Sequence, residues 1–512
     1  MAVQQQSPSR ATSRQWAALC VLALAVLLLA VDGTVLSLAI PALSQQLQPS
    51  ATQLLWIGDA YSFALAGLLV TMGTLGDRIG RKRLLLIGAT GFAGASLLAA
   101  FAPSPGWLIA ARVLLGVAGA TLMPSTLSII RNMFTDARQR TTAVAVWGAM
   151  ATAGAAAGPL VGGFLLEHFW WGSVFVINLP IMALLLILGI PLIPESRDPH
   201  PGRFDPLSAL LSVLGIVPVV YAVKELASHG VTPTAGITAA AGIAAIIMFV
   251  RRQRALTTPL IDVTLFRRPA FTGAVSANLL SIFALSGLLF FVSQYLQLVQ
   301  GYSPLQAGVR QLPLTLASLA VAVVIGALAA RIGHGPLIGI GLVIAAGGLV
   351  LLAAAEGTGS YPWLATAFVA IGLGVGAALT LTTDAVISAV PPNKAGAASA
   401  VSETAYELGV ALGIAILGSL HTALYRTHLT VPADVPDPTA EAARESLASA
   451  TAVPSTPLLD LARDAFVSAM QATSLIAALL LAAAGLLAWK LISADKGSDQ
   501  NVSFGSTDDP ER

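Results

Sequence analysis

The run from Trp16 to Leu43 is apolar throughout except for one acid, Asp32, in Val31-Asp32-Gly33-Thr34-Val35. An uninterrupted run this long is a membrane-spanning helix, since about 20 apolar residues cross the hydrocarbon of a bilayer. At ~1.5 Å per residue, Asp32 lies about 24 Å along the run from Trp16, not far past the midplane. A carboxylate facing lipid there costs roughly 2.5–3.5 kcal/mol. Two readings stand. Asp32 is a protonatable group facing a polar cavity and handling protons or cations, or it pairs with a neighbouring helix purely for assembly. The presumption that an intramembrane ionisable residue is functional favours the first.

The rest of the chain is built the same way. Charged residues are 10% of the 512, against about a quarter in soluble domains, and mean hydropathy is +0.81. The expected fold class is therefore an all-α, polytopic membrane protein. The net charge of +2 says little by itself, and no nucleic-acid partner is expected. One cysteine, Cys20, excludes an internal disulfide and a cysteine-based metal cluster; inside an apolar run it reads as an inert buried thiol. No metal-ligand constellation is visible. His168, His334 and His421 are scattered near span ends, where exposed histidines carry no signal. No Gly-x-x-x-x-Gly-Lys-Ser/Thr loop is present, so no ATP-driven step and no cofactor are expected. The loops are short and hold no nucleophile–base pair, which argues against an enzyme. The polar segment before Trp16 carries Arg10 and Arg14, and the run after it is too long for a signal-peptide core, so it reads as a retained first span.

Hydropathy predicts fourteen spans, near 16–43, 53–72, 84–102, 107–129, 141–166, 171–193, 207–226, 233–250, 270–299, 306–330, 336–356, 361–390, 396–422 and 466–492. The even-numbered turns hold Arg78, Arg81, Lys82, Arg83, Arg131, Arg138, Arg140, Arg197, Arg203, Arg251, Arg252, Arg254, Arg267, Arg268, Arg331 and Lys394. The odd-numbered turns hold only Lys224, Arg426, Arg444 and Arg463. The positive-inside rule then puts the even turns and both termini in the cytoplasm.

The chain also repeats itself. Gly73-Thr74-Leu75-Gly76-Asp77-Arg78-Ile79-Gly80 returns as Gly326-Ala327-Leu328-Ala329-Ala330-Arg331-Ile332-Gly333, 253 residues later. Leu108, Gly116 and Ala120 match Leu364, Gly372 and Gly376 at 256, and Gly154 and Gly158 match Gly409 and Gly413 at 255. Motifs at nearly one offset mean two copies of a six-helix unit. The expected organisation is a cytoplasmic tail over 1–15, a six-helix bundle over 16–195, an inserted helix pair with its linkers over 196–268, a second bundle over 269–492, and a disordered cytoplasmic tail over 493–512. An outer loop over 422–465 interrupts the second bundle. Ala440 to Leu447 and Leu458 to Phe466 favour helix, so a small hairpin and a disordered loop are both open there. Two repeated halves around a midplane site form the architecture of an alternating-access transporter.

Four groups of residues carry chemistry. In the turn after span 2, Gly73 and Gly80 permit a tight reversal, Asp77 can meet a helix N-terminus or an arginine, and Arg78 and Arg81 hold the turn in the cytoplasm. Arg112, inside span 4, needs an acid or carbonyl partner; Asp32 and Asp59 are the acids nearest in sequence. Its counterpart in the second half is Phe368, so the repeat alone does not require it. Gly154, Gly158, Pro159, Gly162 and Gly163 form a stripe of span 5 that lets another helix approach closely and allows bending; packing alone would explain it. Trp56, Asp59 and Tyr61 combine an acid with aromatics in span 2, and Glu403 and Glu407 share one face of span 13 beside Tyr406. Such faces accept protons or an organic cation, the aromatics adding about 2 kcal/mol of cation–π attraction when desolvated. Asp384 reads as interfacial, and Arg310 has no evident partner in the sequence.

The Gly73–Arg83 turn resembles the signature of the major facilitator superfamily. Gly158-Pro159-Leu160-Val161-Gly162-Gly163 resembles the motif of its antiporters. With Asp32-Gly33-Thr34-Val35, Trp56 to Ser62, Leu122 to Thr126, Trp170 to Pro180 and Glu403 to Gly409, the chain resembles the fourteen-helix drug:proton antiporter family, in its QacA/LfrA-type branch of multidrug efflux pumps. That resemblance implies a major facilitator fold of two six-helix bundles plus an inserted pair. It also implies export of lipophilic cations such as quaternary ammonium compounds, dyes and cationic antibiotics, driven by the proton gradient. Asp32 and Arg112 would couple protons; Asp59, Trp56, Tyr61, Glu403, Tyr406 and Glu407 would bind substrate. A monomer in a bacterial cytoplasmic membrane is implied too. The alternative is export of one endogenous metabolite or antibiotic on the same fold. One departure stands out: where some members carry an acid in span 10, aligning on Leu312-Pro313 puts Ser318, so dications are expected to be poorer substrates.

Overall fold

The structure, a computed structural model, describes residues 11–197, 205–257, 259–390, 395–432, 435–451 and 456–502. Fourteen helices among them are long and apolar enough to cross a membrane. In chain order they are α1 Ser13–Leu47, α2 Ala51–Ile79, α3 Arg81–Ala100, α4 Pro105–Met133, α5 Arg138–His168, α6 Ser173–Leu192, α7 Pro206–Leu226, α8 Pro233–Ala255, α9 Pro269–Val299, α10 Pro304–Ala329, α11 His334–Glu356, α12 Tyr361–Ser388, α13 Ala398–His428 and α14 Pro457–Ile492. Among the described residues the fold is all-helical, with the fourteen spans that hydropathy predicts.

Helix α1 packs on α5, α4 and α6, and α2 and α3 pack on α4. In the second half α9 packs on α14, α13 and α12, and α10 and α11 pack on α12. The repeat extends to these contacts. Gly154 lies on the Leu27 carbonyl and Ala30, and Gly409 on the Leu279 carbonyl and Ile282, each 252 residues later on α9. Gly116 lies on Tyr61 and Ala64, and Gly372 on Leu314 and Ala317, each 253 later on α10. Small residues let these backbones touch, which is how helices associate where lipid removes the hydrophobic drive. Helices α2 and α10 even begin alike. Ser50 with Gln53 and Ser303 with Gln306 form capping boxes 253 residues apart. Gly80 and Gly333 end the repeated turns at φ +109° and +96°, a region that a side chain disfavours.

Helices α7 and α8 form a hairpin whose α7 packs on α2 and α13. Asp205 caps α7 at Ser208 and takes a two-pronged contact from Arg252 at 2.9 and 3.1 Å. Burial works against that carboxylate, but the hydrogen bonds from Arg252 and Ser208 hold it down at about 2.

Several expectations need correction. Helix α1 starts at Ser13, within the expected tail, since Thr12 and Gln15 form a capping box. Residues 1–10, Arg203 and Lys394 lie outside the described residues. Helix α13 runs on to His428, shortening the loop placed at 422–465. Within that loop Asp437–Glu445 and Leu447–Thr451 are helical. Leu458 to Phe466 forms no separate helix: it is the first turns of one helix, Thr456–Val502, with no proline inside to stop it. That helix passes residue 493, where the disordered tail was expected to begin; 503–512 lie outside the described residues. Cys20 is exposed on the apolar surface of α1, not buried. His421 is buried and stacks on Phe291 at 3.9 Å.

The hydrogen bonds that join the halves gather at the end away from the basic turns, here called the far end. Ser37 meets Ser293, Leu38 O meets Gln297, and Glu167 takes Ser303 and the Leu305 amide. Close glycine contacts lie there too: Gly163 on Leu305, Gly308 on Pro159, Gly418 on Leu55 and Gly58 on Phe290. Glu445 of the loop accepts from the Ala51 amide of α2 and pairs with Arg426 of α13. The halves are clamped at the far end. At the basic end of α10, Val323 and Val324 are exposed.

Candidate site: a buried ionic cluster in the membrane interior

Asp32 is 1% exposed, on α1. Arg112 of α4 reaches its Oδ2 at 3.3 Å, and Asn178 of α6 donates to its Oδ1 at 2.9 Å and to Ser96 at 3.0 Å. Arg112 also donates to the Ile57 carbonyl of α2 at 3.2 Å and lies over the Tyr61 ring at 4.8 Å. Arg112 therefore has both kinds of partner that an intramembrane guanidinium needs. Phe368, its counterpart, is buried apolar core.

Between Ile57 and Tyr61 on α2, Asp59 is fully buried and faces a cation that sequence reading assigned to an outer turn. Lys224 lies inside α7, its Nζ 2.7 Å from Asp59 Oδ2 and 3.7 Å from the Trp56 ring centroid. Helix α7 is held against α2 and α13 by Phe63, Val220, Ala411 and Ala415. Val220 and Lys224 are one turn apart on one face, so the packing that seats Val220 aims Lys224 at Asp59. Removing either partner of such a pair leaves a buried charge and costs about 3–5 kcal/mol.

On α13, Glu407 is buried, with a hydrogen bond from Ser62 of α2. It interacts electrostatically with Glu403 and Arg112, and Tyr61 with Asp32 and Glu407. Tyr406 is 37% exposed and lies beside both glutamates. Asp32, Arg112 and Tyr61 thus form one contact cluster, with Glu407 and Asp59 within electrostatic range of Arg112. With Lys224, these groups draw on both halves and on the inserted pair.

The remaining motif residues lie away from this cluster. Asp77 pairs with Arg81 at 2.7 Å within the basic turn. The Glu195 carboxylate sits against Gly80 and accepts from the Lys82 amide. Arg78 ends α2 in the same turn. Gly154, Gly158 and Gly162 face α1, while Gly163 faces α10. Arg310 stacks on Tyr302 at 3.7 Å and faces Tyr361 at 5.4 Å, the partners its sequence did not reveal. Ser318 packs against Gly376 of α12. No group of three or more metal-ligating side chains occurs among the described residues.

Sequence reading missed Lys224, Asn178 and Ser62. Lys224 had a signal: it falls inside the apolar stretch Leu207 to Leu226. Asn178 and Ser62 look like ordinary small polar residues until the helices are packed.

Comparison with known proteins places the chain. The model of the Major Facilitator Superfamily matches residues 22–414. Multidrug efflux pump LfrA of Mycolicibacterium smegmatis is 50% identical, over 93% of this chain and 96% of that one. Methyl viologen resistance protein SmvA of Salmonella typhimurium is 38% identical, over 89% and 93%. The tetracenomycin C resistance and export protein of Streptomyces glaucescens is 33% identical, over 80% and 76%. Among solved structures, a bacterial homolog of the human lysosomal transporter Spinster, inward-facing and occupied, superposes with a TM-score of 0.66 at 18% identity, over 95% and 98%. That likeness concerns the fold.

Proposed function

The chain belongs to the major facilitator superfamily, and from that premise we propose that it is a proton-coupled antiporter exporting lipophilic cations of several kinds by alternating access. The observation that carries this reading is the buried cluster joining Asp32, Arg112 and Glu407 across both halves. Both acids are buried and Asp32 is paired with Arg112, so a proton or a cation can be exchanged without leaving the interior. In this reading Asp32, tuned by Arg112, exchanges protons with the exterior. Glu403 and Glu407 with Tyr406, and Asp59 with Trp56 and Tyr61, hold the cation. Protonation weakens that hold, and deprotonation on the cytoplasmic side restores it. The halves rock about the site, with the Gly154–Gly163 stripe as the moving contact and the Gly73–Arg81 turn as a latch. The basic turns and both termini face the cytoplasm of a bacterial cell. The protein acts as a monomer and needs no cofactor.

The names of two relatives, a multidrug efflux pump and a methyl viologen resistance protein, support export of several drugs with a cation among them. The tetracenomycin C relative favours a second reading, export of one antibiotic or metabolite. Tolerance of a deletion strain to cationic dyes separates the two: it falls only if the protein is a multidrug pump. The reading itself is tested by ethidium transport in everted vesicles under an imposed pH gradient. Wild type should pump dye and dissipate the gradient, and Asp32→Asn should do neither. Full coupling in Asp32→Asn would remove Asp32 from the mechanism. No dye movement by wild type would end the cation reading.

A further inference from the structure

Lys224 sits where an ammonium ligand would sit. Its Nζ is 2.7 Å from Asp59 Oδ2 and 3.7 Å from the Trp56 centroid, so it touches a carboxylate and an indole face together. Those are the two contacts that a desolvated organic cation takes. The side chain is 1% exposed, and it comes from α7, outside the two repeated bundles. Asp59 is not saturated by this partner: neither carboxylate oxygen has a hydrogen-bond donor of good geometry among the described residues. A lysine is a point charge on a flexible four-carbon stem, able to leave such a contact without moving its helix.

We propose that Lys224 is a tethered cation that occupies the Asp59–Trp56 subsite and restricts the cargo to one positive charge. This rests on the cation-export reading. A monocation is served by Glu407 and Glu403 on α13 and leaves Lys224 in place. The two glutamates lie one turn apart and serve one charge centre; the distant second charge of a dication needs an acid on another helix, where Asp32 is paired with Arg112 and Asp59 with Lys224. Ser318, standing where an acid could have supplied a further charge, packs against Gly376 and offers none. Charge selectivity is thus set by the inserted helix pair, a part of the chain that the six-plus-six repeat does not need.

The test uses two dyes that share a phenanthridinium ring system, ethidium with one positive charge and propidium with two. Affinities are measured by fluorescence on the full-length protein in lipid nanodiscs, for wild type, Lys224→Gln, Lys224→Arg and the double variant Asp59→Asn/Lys224→Gln. The expected result is that Lys224→Gln raises propidium affinity relative to ethidium by about tenfold or more, the factor that one added ion contact supplies. Lys224→Arg keeps the wild-type ratio. The double variant, which buries no unpaired charge, returns the propidium-to-ethidium affinity ratio to the wild-type value. An unchanged ratio in Lys224→Gln overturns the proposal while leaving cation export standing. A propidium gain that survives in the double variant also overturns it, because Asp59 is then not the subsite. Loss of both dyes in Lys224→Gln alone, with binding regained in the double variant, assigns Lys224 a structural role and overturns it too. If wild type and every variant bind neither dye, the cation reading falls and the proposal falls with it.

Discussion

Replacing Gly308 with leucine should hold the far ends of the two halves apart. Gly308 begins the second turn of α10 and lies against the Pro159 carbonyl of α5. A Cβ there would overlap the Pro159 carbonyl and come within 3.6 Å of the Leu160 nitrogen, and backbone cannot rotate aside as a side chain can. Overpacking of this kind costs about 1–3 kcal/mol. All of that cost falls on the state in which α5 and α10 touch. The ratio of far-end-closed to far-end-open molecules should drop by a factor of about 5 to 150. Spin labels at Phe169 and Trp363, both exposed at the far end, report the separation in a Cys20→Ser background. The distance distribution of Gly308→Leu should gain a longer component. Gly326→Leu is the control, because a Cβ at Gly326 meets nothing within 4 Å. A Gly308→Leu distribution identical to that of wild type would refute the assignment of this glycine contact to the closing of the far end.

Other outcomes follow from the same geometry. Asp59→Leu leaves the Lys224 ammonium buried alone and should cost about 3–5 kcal/mol of stability in nanodiscs, whereas Asp59→Leu with Lys224→Met should fall within about 1.5 kcal/mol of wild type; equal losses would mean that the pair does not interact. Arg310→Leu removes the stack on Tyr302 and Tyr361 and should cost roughly 1–2 kcal/mol in thermal unfolding, with a smaller loss for Arg310→Lys. Asp205→Asn breaks the clasp between α7 and α8 and should cost roughly 1–2 kcal/mol at pH 7. The Asp205 carboxyl is held at about 2, against ~3.9 in an unfolded chain, so its contribution is present above about pH 4 and lost as pH falls through about 2. The cost of Asp205→Asn should therefore be flat from pH 5 to 8 in thermal melts; a cost that grows on acidification would contradict the assignment.

The spans, the two-fold repeat and the acidic residues were legible in the sequence because hydropathy, glycine spacing and intramembrane charge are local signals. Asp32 with Arg112 could be paired on paper, since each needs a partner and few are available. Asp59 with Lys224 could not, because nothing in a sequence says which face of α7 meets α2. Counting basic residues by turn placed Lys224 outside the span, although the apolar stretch around it runs on to Leu226. Asn178 and Ser62 were invisible as site residues for a different reason: small polar side chains in spans usually serve packing, and only the assembled bundle turns these two toward Asp32 and Glu407. The end of the last helix was misjudged because polar composition after Ile492 reads as a tail, yet no proline interrupts the hydrogen-bond ladder as far as Val502.

The central claim is that cation and proton compete for one acidic set in the membrane interior. The most direct measurement is proton release on cation binding: tetraphenylphosphonium is added to concentrated, weakly buffered protein in detergent while a pH indicator is followed. Wild type should release protons in proportion to the cation bound, and Glu407→Gln should release fewer. Saturable cation binding by wild type with no change in proton content would contradict the claim.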